Sequence, residues 1–141
     1  MNNKCLIVSV LIVSIFTLTS CAPSNKQVLA TSESQVKLRS IQTRAFDTND
    51  KNKMLRTVIA TLQDLGFIID KADLNLGTVS ATKLDRYNLR VTVTVKERSE
   101  SQLLVRANAQ YNINPVEDPE PYQQFFNSLS KAIFLTAQQV D

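Results

Sequence analysis

The chain has 141 residues with 16 basic and 13 acidic side chains, and its formal net charge of +3 is too small to indicate nucleic-acid binding. It contains no histidine and only two cysteines and two glycines, so the commonest general bases and soft-metal ligands are scarce and a glycine-rich phosphate loop is excluded. We therefore expect a protein that is not an enzyme and that uses no metal and no cofactor.

The first 21 residues carry the pattern of a secretion signal that ends in a cysteine. Lys4 supplies positive charge, an apolar stretch runs from Leu6 to Leu18, and two small residues precede Cys21. The apolar stretch is too short to span a bilayer, which needs about 20 residues. The closing sequence Leu-Thr-Ser-Cys resembles the lipobox of bacterial lipoproteins, which is read by the enzymes that acylate the cysteine thiol and cleave before it.

This resemblance implies that the chain has three parts. Residues 1–20 would be a signal peptide that is removed, Cys21 would carry the lipid that anchors the protein to a membrane, and residues 21–34 would form the lipidated end and a flexible tether. Residues 35–141 would be a single domain facing the periplasm. In enterobacterial lipoproteins, Asp after the lipidated cysteine favours the inner membrane, so Ala22 implies the outer membrane.

The pattern of residues 35–65 predicts a strand and then a helix. Residues 35–46 alternate between apolar and polar side chains, with a change of parity at Ser40 that indicates a bulge or a bend. Asp47 or Thr48 is expected to cap the helix, which then runs to Leu65 with an apolar stripe at helical spacing. Gly66 follows where a left-handed residue commonly ends a helix.

Four further strands and a second helix are predicted after Gly66. The strand patterns cover residues 67–70, 77–83, 87–97 and 103–111, and polar turns separate them. Asp118 is expected to cap the last helix, whose apolar stripe is the most aromatic in the chain. These elements predict a two-layer α+β domain in the order β-α-β-β-β-β-α, with an antiparallel sheet of about four to five strands and two helices on one face.

Two stretches carry a resemblance to known proteins. One runs from Arg39 to Asp47 and continues in the segment 62–67, and the other is the segment 122–131. They resemble a group of small bacterial lipoproteins without an assigned activity. The layout also resembles the helix-grip domains of the C lipoprotein subunit of the outer-membrane β-barrel assembly machine. The resemblance implies a fold and a cell-envelope setting, but it carries no catalytic signature and no set of functional residues.

Basic residues make two candidate surfaces for a partner protein. Arg90 and Lys96 on one predicted strand and Arg106 on the next would form a mildly basic, hydrogen-bonding patch if these strands pair, although an ordinary solvated face is the alternative. Arg39 and Arg44, just before the first helix, could bind a carboxylate or a phosphate of a partner. The alternative is that an arginine there pairs with an acid of the domain itself.

The aromatic stripe of the last helix is the third candidate. Phe125, Phe126, Leu129 and Phe134 could line an apolar pocket between the sheet and this helix, or they could simply fill the core. Small sheet residues such as Ala107 and Ala109 would leave room for a ligand. The sequence therefore favours a lipid-anchored module that docks other envelope proteins, and the alternative is a carrier or sensor of an apolar ligand.

Overall fold

Alternating apolar and polar residues form an antiparallel sheet, as the sequence predicts. The computed structural model describes residues 35–85 and 87–138. The strands are β1 (Thr43–Phe46), β2 (Ile68–Asp73), β3 (Thr78–Asp85), β4 (Tyr87–Ser99), β5 (Gln102–Tyr111) and β6 (Asn114–Pro115). Their order across the sheet is β1-β5-β4-β3-β2, and β6 also pairs with β5. Because β4 occupies the other side of β5, β1 and β6 must share the same edge of that strand.

The first long helix, α1 (Lys51–Asp64), begins and ends at residues that satisfy its free backbone groups. Its N-cap is Asp50, whose side chain accepts a hydrogen bond from the backbone N–H of Lys53, so the cap lies later than the sequence predicted. At the other end, Gly66 N–H donates to Gln63 O and Phe67 N–H donates to Leu62 O, both at 2.9 Å. With Gly66 at a φ of +83°, this is the predicted glycine C-cap, in the form of a Schellman motif.

The second long helix, α2 (Pro119–Gln138), starts at a proline. Asp118 accepts a hydrogen bond from the backbone N–H of Glu120 at 3.0 Å, so the predicted cap residue is correct. No helix among residues 35–85 and 87–138 has both the length and the apolar character needed to cross a membrane.

The predicted strand over residues 35–46 is wrong in its first half, because residues 35–41 are helical. Gln42 N–H donates to Leu38 O at 3.1 Å, which is the spacing of a helix. Leu38 and Ile41 are both half-buried and lie three residues apart. The change of parity at Ser40 therefore reflects a helical period and not a bulge.

Other boundaries also differ from the expectation. The segment 71–73, predicted as a turn, belongs to β2, and the predicted turn residues Leu84 and Asp85 belong to β3. The short strand β6 lies inside the loop predicted over residues 114–121. The predicted signal peptide, the predicted lipidation site at Cys21 and the predicted tether fall in residues 1–34, outside the described residues.

One core lies between the sheet and the two long helices. The inner face of the sheet contributes the buried residues Val79, Ala81, Val91, Val93, Val95, Leu103, Val105, Ala107 and Ala109. The helices contribute Met54, Leu55, Val58, Leu62, Tyr122, Phe125, Phe126 and Leu129 to the same cluster. This arrangement confirms the predicted two-layer α+β fold with both helices on one face, and it leaves the other face of the sheet without a covering element among the described residues.

Candidate functional site

The uncovered side of the sheet, here called the polar face, brings the predicted basic residues of β4 and β5 together. Its polar residues on β3, β4 and β5 are Thr78, Ser80, Thr82, Arg90, Thr92, Thr94, Lys96, Arg106, Asn108 and Gln110, and Leu104 lies opposite Lys96 on the same side. Thr94 lies opposite Arg106, and Arg90 lies opposite Gln110. Directly opposite residues on one face lie close together, so the cations occupy one continuous surface. Arg90 and Lys96 are exposed, whereas Arg106 is half-buried.

Hydroxyl groups surround the cations of the polar face. Thr82 Oγ1 donates to Asp70 Oδ2 at 2.6 Å, and the hydroxyls of Ser80 and Thr92 lie 3.5 Å apart. The Nε atom of Arg106 is buried and has no hydrogen-bond partner among the described residues. A guanidinium has five N–H donors, so an acceptor from outside would have to bind the Nη groups of Arg106 and not the enclosed Nε.

The other two candidate arginines lie elsewhere. Arg44 lies opposite Val105 and therefore belongs to the side of the sheet that the helices cover. Its guanidinium carbon is 5.3 Å from the ring centroid of Phe126, and Nη1 donates to the carbonyl oxygens of Ser40 and Thr43. These contacts replace the acidic partner that the sequence suggested. Arg39 is exposed among the helical residues 35–41.

A cavity of about 240 Å³ lies on the inner side, where the C-terminal end of α1 and the first turns of α2 meet the sheet. Its lining includes Leu62, Phe67, Lys83, Val91, Ala109 and Phe125. Ala107 also lines it, so two of the small strand residues that the sequence singled out do leave space here. Tyr111 lines the cavity and is 41% exposed, which places an opening to solvent at this end of the sheet.

The cavity differs in its lining from the predicted pocket. Only Phe125 of the four predicted residues lines it. Phe126 and Leu129 are buried in the core, and the rings of Phe125 and Phe126 contact each other edge to face at 5.1 Å. Phe134 lies farther along α2 and is 62% exposed. The predicted group of four is therefore not assembled around one space, because Phe134 lies about 140° around the helix from Leu129 and on the opposite side from Phe125.

Sequence reasoning missed the charged residue of this cavity. Lys83 follows Val79 and Ala81 at a spacing of two, so its side chain points to the inner face of β3. Its Nζ atom donates to Leu65 O at 3.0 Å and lies 5.9 Å from the ring centroid of Phe67. The available signal was parity: a lysine at an inner position of a strand needs a partner or an opening to water.

The described residues contain no group of three or more His, Cys, Asp or Glu side chains placed to hold a metal ion. Comparison with protein-family models and with curated proteins gave no match to this chain. The polar face and the cavity are therefore the two candidate sites of the described residues.

Proposed function

We propose that this protein is a non-enzymatic lipoprotein, anchored to the outer membrane through Cys21 and facing the periplasm, that docks other proteins of the cell envelope. The observation that supports docking is the polar face, where Arg90, Lys96 and Arg106 lie on neighbouring strands with no covering element among the described residues. The anchor is supported by the sequence around Cys21 alone.

The charges of the polar face specify the chemistry of the partner. An antiparallel sheet often leaves one face in water, so an uncovered face does not by itself indicate binding. The cations of β4 and β5 add a specific feature, because guanidinium groups bind carboxylates with good geometry. The partner surface that fits this face is an acidic protein surface.

The anchor is tested by metabolic labelling with palmitate. Wild-type protein should incorporate the label and should fractionate with the outer membrane. Cys21→Ser should abolish incorporation, because the thiol is the acceptor. Label that persists in Cys21→Ser, or a wild-type protein that never takes label, would contradict the anchor.

Docking is tested by site-specific photocrosslinking in living cells. A crosslinking residue at Thr92, in the middle of the polar face, should give reproducible adducts, and Arg90→Glu with Lys96→Glu should remove them. The matched control places the crosslinker at Arg56, which is exposed on the outer side of α1. Equal adducts at both positions, or adducts that survive charge reversal, would count against docking through this face.

A second candidate function is supported by the cavity, which suits a small apolar ligand carried between the sheet and α2. Native mass spectrometry of protein extracted from membranes should then show a bound small molecule. Ala109→Leu fills the space from the β5 side and should release it. A wild-type spectrum with the bare mass alone would oppose this function.

A further inference from the structure

The cavity has one charged wall and otherwise apolar or uncharged walls. Of the described residues that line it, Lys83 alone carries a charge, and no acid is among them. A purely apolar ligand would gain nothing from an ammonium group at this place. The position of Lys83 therefore says more about the ligand than the volume of the cavity does.

The ammonium group of Lys83 makes one hydrogen bond to a described residue, which does not use all of its donors. It has three N–H donors, and its hydrogen bond to a described residue goes to Leu65 O at the end of α1. The C-terminal end of a helix carries partial negative charge, which holds the ammonium in place. The aliphatic stem lies along the cavity wall while the charged end stays near water, as long cationic side chains commonly do. Among the described residues no other hydrogen-bond partner takes the ammonium, which leaves two donors for an anionic group at the opening.

The size of the cavity limits what enters it. About 240 Å³ is below the roughly 300–1,000 Å³ of sites for drug-sized ligands, so the cavity fits a short chain or the end of a longer one. Leu62, Val91 and Ala109 give it apolar walls at depth, and Lys83 is only half-buried. An occupant with an apolar tail inward and a polar head outward matches both features.

We infer that the cavity binds an aliphatic carboxylate, with the chain between Ala109 and Phe125 and the carboxylate paired with Lys83. This inference rests on the second proposed function, and it names both the class of ligand and the residue that selects it. A charge-assisted hydrogen bond formed at a partly desolvated site is the physical source of the selectivity.

The test compares octanoate with 1-octanol, which share a chain and differ in the charge of the head. The whole chain is held in lipid nanodiscs at one lipid concentration, and binding is followed by the methyl NMR signals of Ala107 and Ala109. Octanoate should bind the wild type more tightly than octanol. Lys83→Gln should weaken the binding of octanoate by about tenfold, the size of one charge-assisted hydrogen bond, and should leave the affinity for octanol unchanged. Lys83→Arg keeps the charge and should retain most of the octanoate affinity.

The remaining outcomes distinguish a wrong ligand class from a wrong carrier function. If both probes shift the two methyl signals equally and Lys83→Gln changes neither, the cavity is a carrier site but the carboxylate preference is wrong. If neither probe shifts them in the wild type, or if both still bind to Ala109→Leu, the carrier function fails as well. Glutamine keeps an N–H donor on the side of Leu65 O, on a side chain one atom shorter than that of lysine.

Discussion

Gln42 Nε2 donates a hydrogen bond to the hydroxyl of Tyr122 at 3.2 Å, and both side chains are almost fully buried. The same hydroxyl accepts from Ala109 N–H at 3.3 Å and donates to Val116 O at 2.8 Å. One phenol thus joins the residue before β1, the edge of β5, the residue after β6 and helix α2.

β1 and β6 pair with the same edge of β5 and leave a short stretch between them without a strand partner. The Tyr122 hydroxyl binds the backbone of β5 in this gap. On one side of the gap, Ala107 N–H donates to Gln42 O, and on the other Val116 N–H donates to Ala109 O, both at 2.9 Å. Between them, the Tyr122 hydroxyl takes the hydrogen bond of Ala109 N–H that a strand residue would otherwise accept. Buried backbone groups need partners, so this side chain allows two short strands to share one edge.

Tyr122→Phe should therefore destabilise the domain by about 2–3 kcal/mol. The substitution keeps the ring in the core but removes the partner of two buried backbone groups and of the Gln42 amide. Urea denaturation measures the loss, and amide exchange at Ala109 should become faster. Gln42→Met is the matched control: it leaves the Tyr122 hydroxyl bonded to the backbone and should cost less. Equal stability of Tyr122→Phe and wild type would show that water replaces the hydroxyl.

The two glycines should respond differently to alanine, although both have positive φ. Gly66→Ala should cost about 1 kcal/mol from the left-handed backbone alone, because the nearest atoms to an added Cβ are those of Lys83 at 3.6 Å. At Gly77 the added Cβ would lie 2.5 Å from Val95 O, a backbone atom that cannot move aside cheaply. Gly77→Ala should therefore cost at least about 1 kcal/mol more. The two midpoints in urea decide the order, and the reverse ranking would show that the contact between Gly77 and β4 is soft.

The fold could be predicted because its strands and helices follow simple periods. Val91, Val93 and Val95 alternate strictly with polar residues, and the stripe of α1 has an unbroken helical spacing. Prediction failed where two periods overlap in a short segment. Over residues 35–46, apolar positions fit a strand in one register and a helix in another, and only contacts with the core separate the two.

The candidate sites were harder to predict because they depend on which elements meet. The basic patch followed from parity within β4 and β5 and needed only their register, which places Arg106 beside Thr94. The cavity needed the position of α2 along the sheet, and no local pattern in the sequence states that position. Phe125 and Phe134 lie about 180° apart around the helix, and they have opposite burial.

The cap of α1 provides a prediction in which two nearby aspartates should behave differently. Asp50→Ala should cost about 1 kcal/mol, because its carboxylate accepts from Lys53 N–H at 2.8 Å. Asp47→Ala should cost less than about 0.5 kcal/mol. Asp47 does not cap the helix but accepts an exposed hydrogen bond from the side-chain amide of Gln102. Thermal melting of the two variants distinguishes them. A larger loss for Asp47→Ala would restore the cap position that the sequence suggested.

The two arginines near β1 should also differ, because Arg44 contacts the core and Arg39 is exposed. Arg44→Met should lower the free energy of unfolding by about 0.5–1 kcal/mol, because it removes a cation–π contact with Phe126 and two hydrogen bonds to backbone carbonyls. Arg39→Met should stay within about 0.5 kcal/mol of the wild type, as is usual for an exposed position. Urea denaturation measures both, and Arg44→Lys should not rescue the loss, because an ammonium cannot stack as a planar guanidinium does. If Arg44→Met proves as stable as wild type, the ring contact contributes nothing, and Arg44 becomes available as a binding residue.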